Sequence, residues 1–125
     1  MSQSHIFLEY ANIKDMRKKI LETAKITHID KYIHPYSRYW DAYYTIVNSH
    51  YYDVCIRGYH CHHIIPKCLF DLEKDNKLNS MKDNPYNMVY VPKDVHALLH
   101  YLLYKSARPG KFKDAMYWAW KSLTN

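Results

Sequence analysis

The chain has 125 residues, and 18 Lys and Arg against 12 Asp and Glu give it a formal charge of +6. That length corresponds to one domain with a modest core, and an apolar content of 48% with 14 tyrosines and only two glycines excludes a disordered polymer. No apolar run approaches the roughly 20 residues of a membrane span, and the basic balance suits a polyanionic partner without identifying one.

The opening MSQSHIFLEYANIKDMRKK lacks the order of a signal peptide, in which positive charge precedes the apolar segment. The expected place of work is the cytoplasm, with no membrane partner. Asn12 and Asp15 can open a helix running to about Ile26, with Ile13, Met16, Ile20 and Ala24 at helical spacing. Its other side carries Lys14, Arg17, Lys18 and Lys25, which reads either as a solvated face or as a phosphate-contacting one. Thr27 to Pro35 is a connector, because a residue before proline is pushed toward extended geometry.

Ser37 then serves as N-cap for a helix to about His50, with Tyr39 or Trp40, Tyr43, Ile46 and Val47 on its apolar side. Aromatics this dense are read as packing rather than as base-stacking groups. Tyr51 to Arg57 leads through Gly58 into a first strand, Tyr59 to about Ile64. Cys55, Cys61 and Cys68 are six and seven residues apart, which fits neither a disulfide framework nor the paired spacing of a zinc ribbon. Reduced thiols are expected, with Cys61 read as a small buried group in preference to a metal ligand.

Lys67 to Tyr86 reads as a long loop, with a short helix around Leu69 to Leu78 and with Lys74, Lys77 and Lys82 available to solvent or substrate. Asn87 to Val91 has strand character and Pro92 ends it. The next helix spans about Lys93 to Ser106, with Asp94 near its positive end and Val95, Leu98, Leu99, Leu102 and Leu103 packing around it. After Arg108-Pro109-Gly110 a last helix, Lys111 to Leu123, buries Phe112, Met116, Ala119, Trp120 and Leu123. Its two tryptophans close the core or a subunit contact.

The chemistry-bearing residues concentrate between Gly58 and Tyr101. His96 and His100 are four apart in a helix, so their side chains lie on one face and can bind one cation. A third ligand and a base then have to come from His62 and His63. Adjacent strand residues point to opposite faces, so both can serve one site only if the strand bulges or ends there. Pro66, with no amide hydrogen, favours such a break, and irregular backbone is expected at the pair.

The order HHIIPK, then Asn87, then the run Val89 to Pro92, then His96 and His100 resembles the HNH (His-Asn-His) endonucleases of the ββα-metal class. Among them it is similar to small phage-encoded homing-type enzymes, with the resemblance covering about a third of the chain. It implies an α+β fold in which a two-stranded antiparallel hairpin and a metal-bearing helix (58–106) form the core. A helical N-terminal support (1–57) and a C-terminal helix (107–125) flank that core within a single domain.

The resemblance also implies roles. The first residue of the pair, His62, would bind a divalent metal with His96 and His100. The second, His63, would be the general base, and Asn87 would pin the backbone so that the base points at the scissile phosphate. The acidic residue that the family often carries shortly before the pair has no counterpart here, where Tyr59, His60 and Cys61 stand, and His60 is a candidate replacement.

The chemistry asks for such groups: phosphodiester hydrolysis needs an activated water, a cation to offset developing charge, and rigid placement of both. A neutral imidazole, with a reference pKa near ~6.5, takes a proton from water at neutral pH. Three imidazoles suit zinc, nickel, cobalt or manganese, whereas magnesium prefers oxygen, and relatives are associated with both kinds of ion.

The implied function is hydrolysis of DNA, by nicking or double-strand cleavage, to 5′-phosphate and 3′-hydroxyl ends. The basic neighbours Arg57, Lys67 and Lys93 are candidate nucleic-acid contacts. Two alternatives stay open: a nuclease of low specificity or one acting on RNA or branched DNA, and a catalytically silent, metal-stabilised nucleic-acid-binding module. Only about twenty residues follow the motif helix, so no DNA-reading appendage is expected there. One site per chain fits nicking by a monomer, and a homodimer would cut both strands.

Overall fold

The computed structural model describes Asp15, residues 29–50, 57–73, Lys82 and residues 84–124. Apart from Asp15, which is helical and exposed, the expected first helix with its basic face lies outside the described residues, as do Cys55, Lys74 and Lys77. What is described is α+β, four helices and a two-stranded antiparallel sheet. Helix α1 is Arg38–Ser49, strand β1 is Tyr59–His63, helix α2 is Lys67–Glu73, strand β2 is Met88–Pro92, helix α3 is Lys93–Ser106 and helix α4 is Lys111–Thr124. Among the described residues no helix is long and apolar enough to cross a membrane.

Local chemistry sets the boundaries. Ser37 caps α1, its side chain accepting from the Tyr39 amide at 3.1 Å, and His50 closes the other end by donating its amide to Val47. A single 3-10 turn, Ile29–Lys31, interrupts the expected connector before α1. That connector is tied to the end of α3 by the isolated bridge Ile33↔Ala107. The His34 amide donates to Ser106 O at 2.8 Å and the Arg108 amide to Tyr32 O at 2.7 Å.

Chain entry into β1 uses Gly58 at φ +90°, a left-handed conformation that side chains disfavour. The strand then pairs antiparallel with β2 from Tyr59↔Pro92 to His63↔Met88. Alternation puts His60 and His62 on one face with their partners Val91 and Val89, both of which are buried. Pro92 is the last residue of β2 and the N-cap of α3 together, so strand and helix join without a loop.

Helix α3 is the element the others pack on. Helices α4 and α1 and both strands all contact it. Tyr43 and Val47 of α1, Val89 and Val91 of β2, Leu99 and Leu103 of α3, and Phe112 and Met116 of α4 form one buried cluster with Ile33, Ile64, Ile65, Leu69 and Phe70. The aromatics of α1 pack as expected, Trp40 stacking on Tyr43 at 5.4 Å.

Several expectations need correction. The stretch from Lys67 opens as helix α2, two residues before the helix expected around Leu69 to Leu78, whose second half lies outside the described residues. Asn87 sits in the 3-10 turn Pro85–Asn87 and β2 starts one residue later, because the Asn84 side chain accepts from the Tyr86 amide and turns the chain there. Leu98 is 43% exposed, since it falls on the outer face of α3. Trp118 is 68% exposed and does not close the core, whereas Trp120 stacks on Tyr101 at 5.0 Å.

Leu103 is fully buried at the α3 junction. Leu103→Ala is expected to destabilise the chain by about 2–5 kcal/mol through lost contacts and a residual cavity, read as a lower urea midpoint at unchanged denaturant slope.

Candidate metal centre

Two elements deliver the imidazoles. His62 comes from β1, 1% exposed, and His96 and His100 come from one face of α3. One nitrogen from each lies within 4.8 Å of the other two, a set able to hold a metal ion. The ring centroids form a near-equilateral triangle, His62 to His96 at 5.2 Å, His62 to His100 at 5.0 Å and His96 to His100 at 4.9 Å.

Proton placement follows from the partners. The Tyr43 hydroxyl lies 2.6 Å from Ile64 O, where it donates its only proton, and 2.8 Å from His62 Nε2. The hydroxyl oxygen therefore accepts from His62 Nε2–H, which leaves the Nδ1 lone pair of His62 for a cation. Such a bond to the outer nitrogen of a ligating histidine fixes its tautomer and orientation. His96 Nε2 and His100 Nε2 stand 3.2 Å apart, close to the edge of about 3.3 Å implied by a tetrahedral ion with nitrogens near 2.0–2.1 Å.

Burial keeps all three rings neutral. It holds His62 well below the ordinary histidine range, with the charges of His100, His96 and His63 acting the same way. Burial first, then His60, lowers His96 to about 4, and burial, then His96, lowers His100 to about 4. Burial also raises the Tyr43 hydroxyl, so it stays a donor. His100 Nδ1 is buried without a hydrogen-bond partner among the described residues. The donor set, neutral nitrogens with no carboxylate among them, fits a divalent cation of the zinc, nickel, cobalt or manganese kind better than magnesium.

His63, half-buried, lines the same cavity of about 610 Å³ as the three imidazoles, together with Cys61, Pro66, Lys67, Cys68 and, from α4, Ala115, Met116 and Ala119. The expected irregular backbone at the pair is not found. The ladder runs regularly through His62 and His63 and stops after them. The cavity lining takes side chains from both faces of the strand, Cys61 and His63 from one and His62 from the other.

Asn87 holds that strand end. Its side-chain oxygen accepts from the Ile65 amide at 2.9 Å and its Nδ2 donates to Ile65 O and Lys82 O, while its backbone carbonyl accepts from the Ile64 amide at 2.7 Å. It is fully buried and outside the imidazole cluster.

No family model, curated protein or solved structure matches the chain. The arrangement of its own side chains therefore carries the functional argument.

Of the basic candidates, Lys67 borders the cavity, whereas Arg57 and Lys93 are exposed elsewhere and do not line it. Cys61 and Cys68 are not disulfide-linked. Cys61 is exposed on the cavity, contrary to its reading as a buried thiol, because it points away from the face that β1 turns to α3. Burial pushes the Cys68 thiol up to about 11. Sequence reasoning missed the hydroxyl of Tyr43, placing it only as an apolar group of α1. The available signal was that a tyrosine buried mid-face needs a polar partner.

The lowered imidazoles have a consequence for stability. The unfolded chain, with histidines near ~6.5, binds more protons than the folded one as pH falls from that value toward the folded values of about 4. The stabilisation is complete above the unfolded value and is lost on acidification through this window. The metal-free protein is expected to show a lower Tm at pH 5 than at pH 7, with a smaller difference in His100→Phe.

Removing the Tyr43 hydroxyl frees the His62 tautomer. Tyr43→Phe is expected to weaken zinc or cobalt binding by about 10- to 100-fold, measured by chelator competition at pH 7.

Proposed function

We propose that this chain is a divalent-metal-dependent endonuclease of the HNH type that hydrolyses DNA phosphodiester bonds. The observation that carries the reading is the shared cavity, in which His63 stands beside three neutral imidazoles grouped closely enough to hold one ion. The order of His62, His63, Asn87, His96 and His100 along the chain supports it, as does a net charge of +6.

In this reading His62, His96 and His100 hold the cation, and His63 is left for proton transfer. A divalent cation held there would supply positive charge to offset the negative charge that builds on the phosphodiester oxygens. The nucleophile is water. Its attack on phosphorus forms the new P–O bond, His63 takes the proton that the water loses, and the bond to the 3′-oxygen breaks as that oxygen takes a proton from solvent. The products carry 5′-phosphate and 3′-hydroxyl ends.

Asn87 acts at a distance. Its bonds to Ile64, Ile65 and Lys82 fix the backbone immediately after His63, so the base is aimed by its own strand end. Lys67 on the rim of the cavity meets the phosphate backbone. With this centre a single chain nicks a duplex, and a pair of chains cuts both strands.

The test is supercoiled plasmid incubated with magnesium, manganese, zinc or nickel, with chelator as control. Wild-type protein is expected to give nicked or linear plasmid with at least one of these ions. His63→Ala is expected to bind that ion equally and to cut at least about 100-fold more slowly, the usual scale of a lost general base. Equal cutting by His63→Ala removes the base from the mechanism. No cutting of plasmid by wild type with any ion turns the substrate search to RNA and branched DNA.

A further inference from the structure

His96 is engaged through both of its nitrogens. Nε2 meets His100 Nε2 at 3.2 Å, and Nδ1 lies 3.1 Å from Nδ1 of His60. The His60 and His96 rings are nearly perpendicular, 84° apart with centroids at 5.2 Å. An N–H and an accepting lone pair both lie in their own ring planes, so two rings twisted about the line joining them still share a proton at this separation.

A nitrogen that holds a cation must present a lone pair, so His96 Nε2 can join the centre only with its proton on Nδ1. We propose that His60 enforces this state: its Nδ1 accepts the His96 Nδ1–H and fixes the tautomer and ring orientation that keep His96 Nε2 on the centre. The proposal rests on the metal-centre reading and makes His60 a positioning residue, not a ligand. It lies outside the three-nitrogen set.

The strand explains how His60 reaches this place. His60 and His62 are alternate residues of β1, so both face α3. One five-residue strand thus supplies a ligand and the brace of a second ligand that belongs to another element. Ligating histidines more often give this outer N–H to a carboxylate or a backbone carbonyl. An imidazole acceptor adds no negative charge, so a bound cation keeps its full attraction for a phosphodiester.

The experiment uses the full chain as wild type, His60→Leu and His60→Asn. It combines cobalt affinity by chelator competition with long-range 1H–15N spectra of the metal-free proteins. The wild type is expected to show His96 as the Nδ1–H tautomer. His60→Leu, with an unchanged circular dichroism spectrum, is expected to lose that single tautomer and to bind cobalt about 10- to 100-fold more weakly. His60→Asn, whose Oδ1 stands near the position of the imidazole Nδ1, is expected to recover most of the affinity.

Wild-type cobalt affinity in His60→Leu overturns the proposal, as does an Nε2–H tautomer of His96 in the wild type. If the wild type binds no cobalt, the metal-centre reading fails by itself. The His96 tautomer in the wild type and in His60→Leu then decides the role of His60.

Discussion

The Tyr43 hydroxyl has one proton to give, and the direction in which it gives it organises the centre. Donation to Ile64 O obliges the oxygen to accept from His62 Nε2, and His62 is thereby committed before any ligand arrives. The bond crosses from α1 to the strand, so the helix must be docked for the imidazole to be set. A buried polar group left without a partner costs about 1–3 kcal/mol. Helix docking, strand placement and ligand tautomer are therefore one cooperative arrangement and not three separable ones.

Around that bond the fold sets the three clustered imidazoles apart from His63. His62 is buried and His96 and His100 partly so, and burial lowers the pKa of all three, whereas His63 sits where the ladder ends. Dehydration is useful here. A nitrogen that stays unprotonated to about pH 4 offers its lone pair throughout the neutral range. Asn87 supplies the complementary constraint, closing the bend after the strand so that the polypeptide cannot relax there.

Much of this was legible in the residues. Spacing of four put His96 and His100 on one helical face, Ser37 marked the start of α1, and Pro92 marked the change from strand to helix at the right residue. What could not be read has physical causes. Whether His62 and His63 share a site depends on where the ladder stops, a matter of three-dimensional pairing, and the regular geometry found at the pair needed only a strand end and no bulge. Tyr43 is silent in sequence because its ring satisfies the apolar pattern while its hydroxyl finds partners 19 and 21 residues away. Leu98 went astray because an apolar pattern does not tell which side of a helix has a neighbour.

The far wall of the cavity comes from α4, through Ala115, Met116 and Ala119. Two of these residues are alanines, so the room beside the imidazoles is set by residue size on a helix that carries none of the motif. Inheritance can act on the two parts independently. A lineage can keep the reactive groups unchanged and drift in what it admits, by exchanging small side chains for larger ones along a single helical stripe.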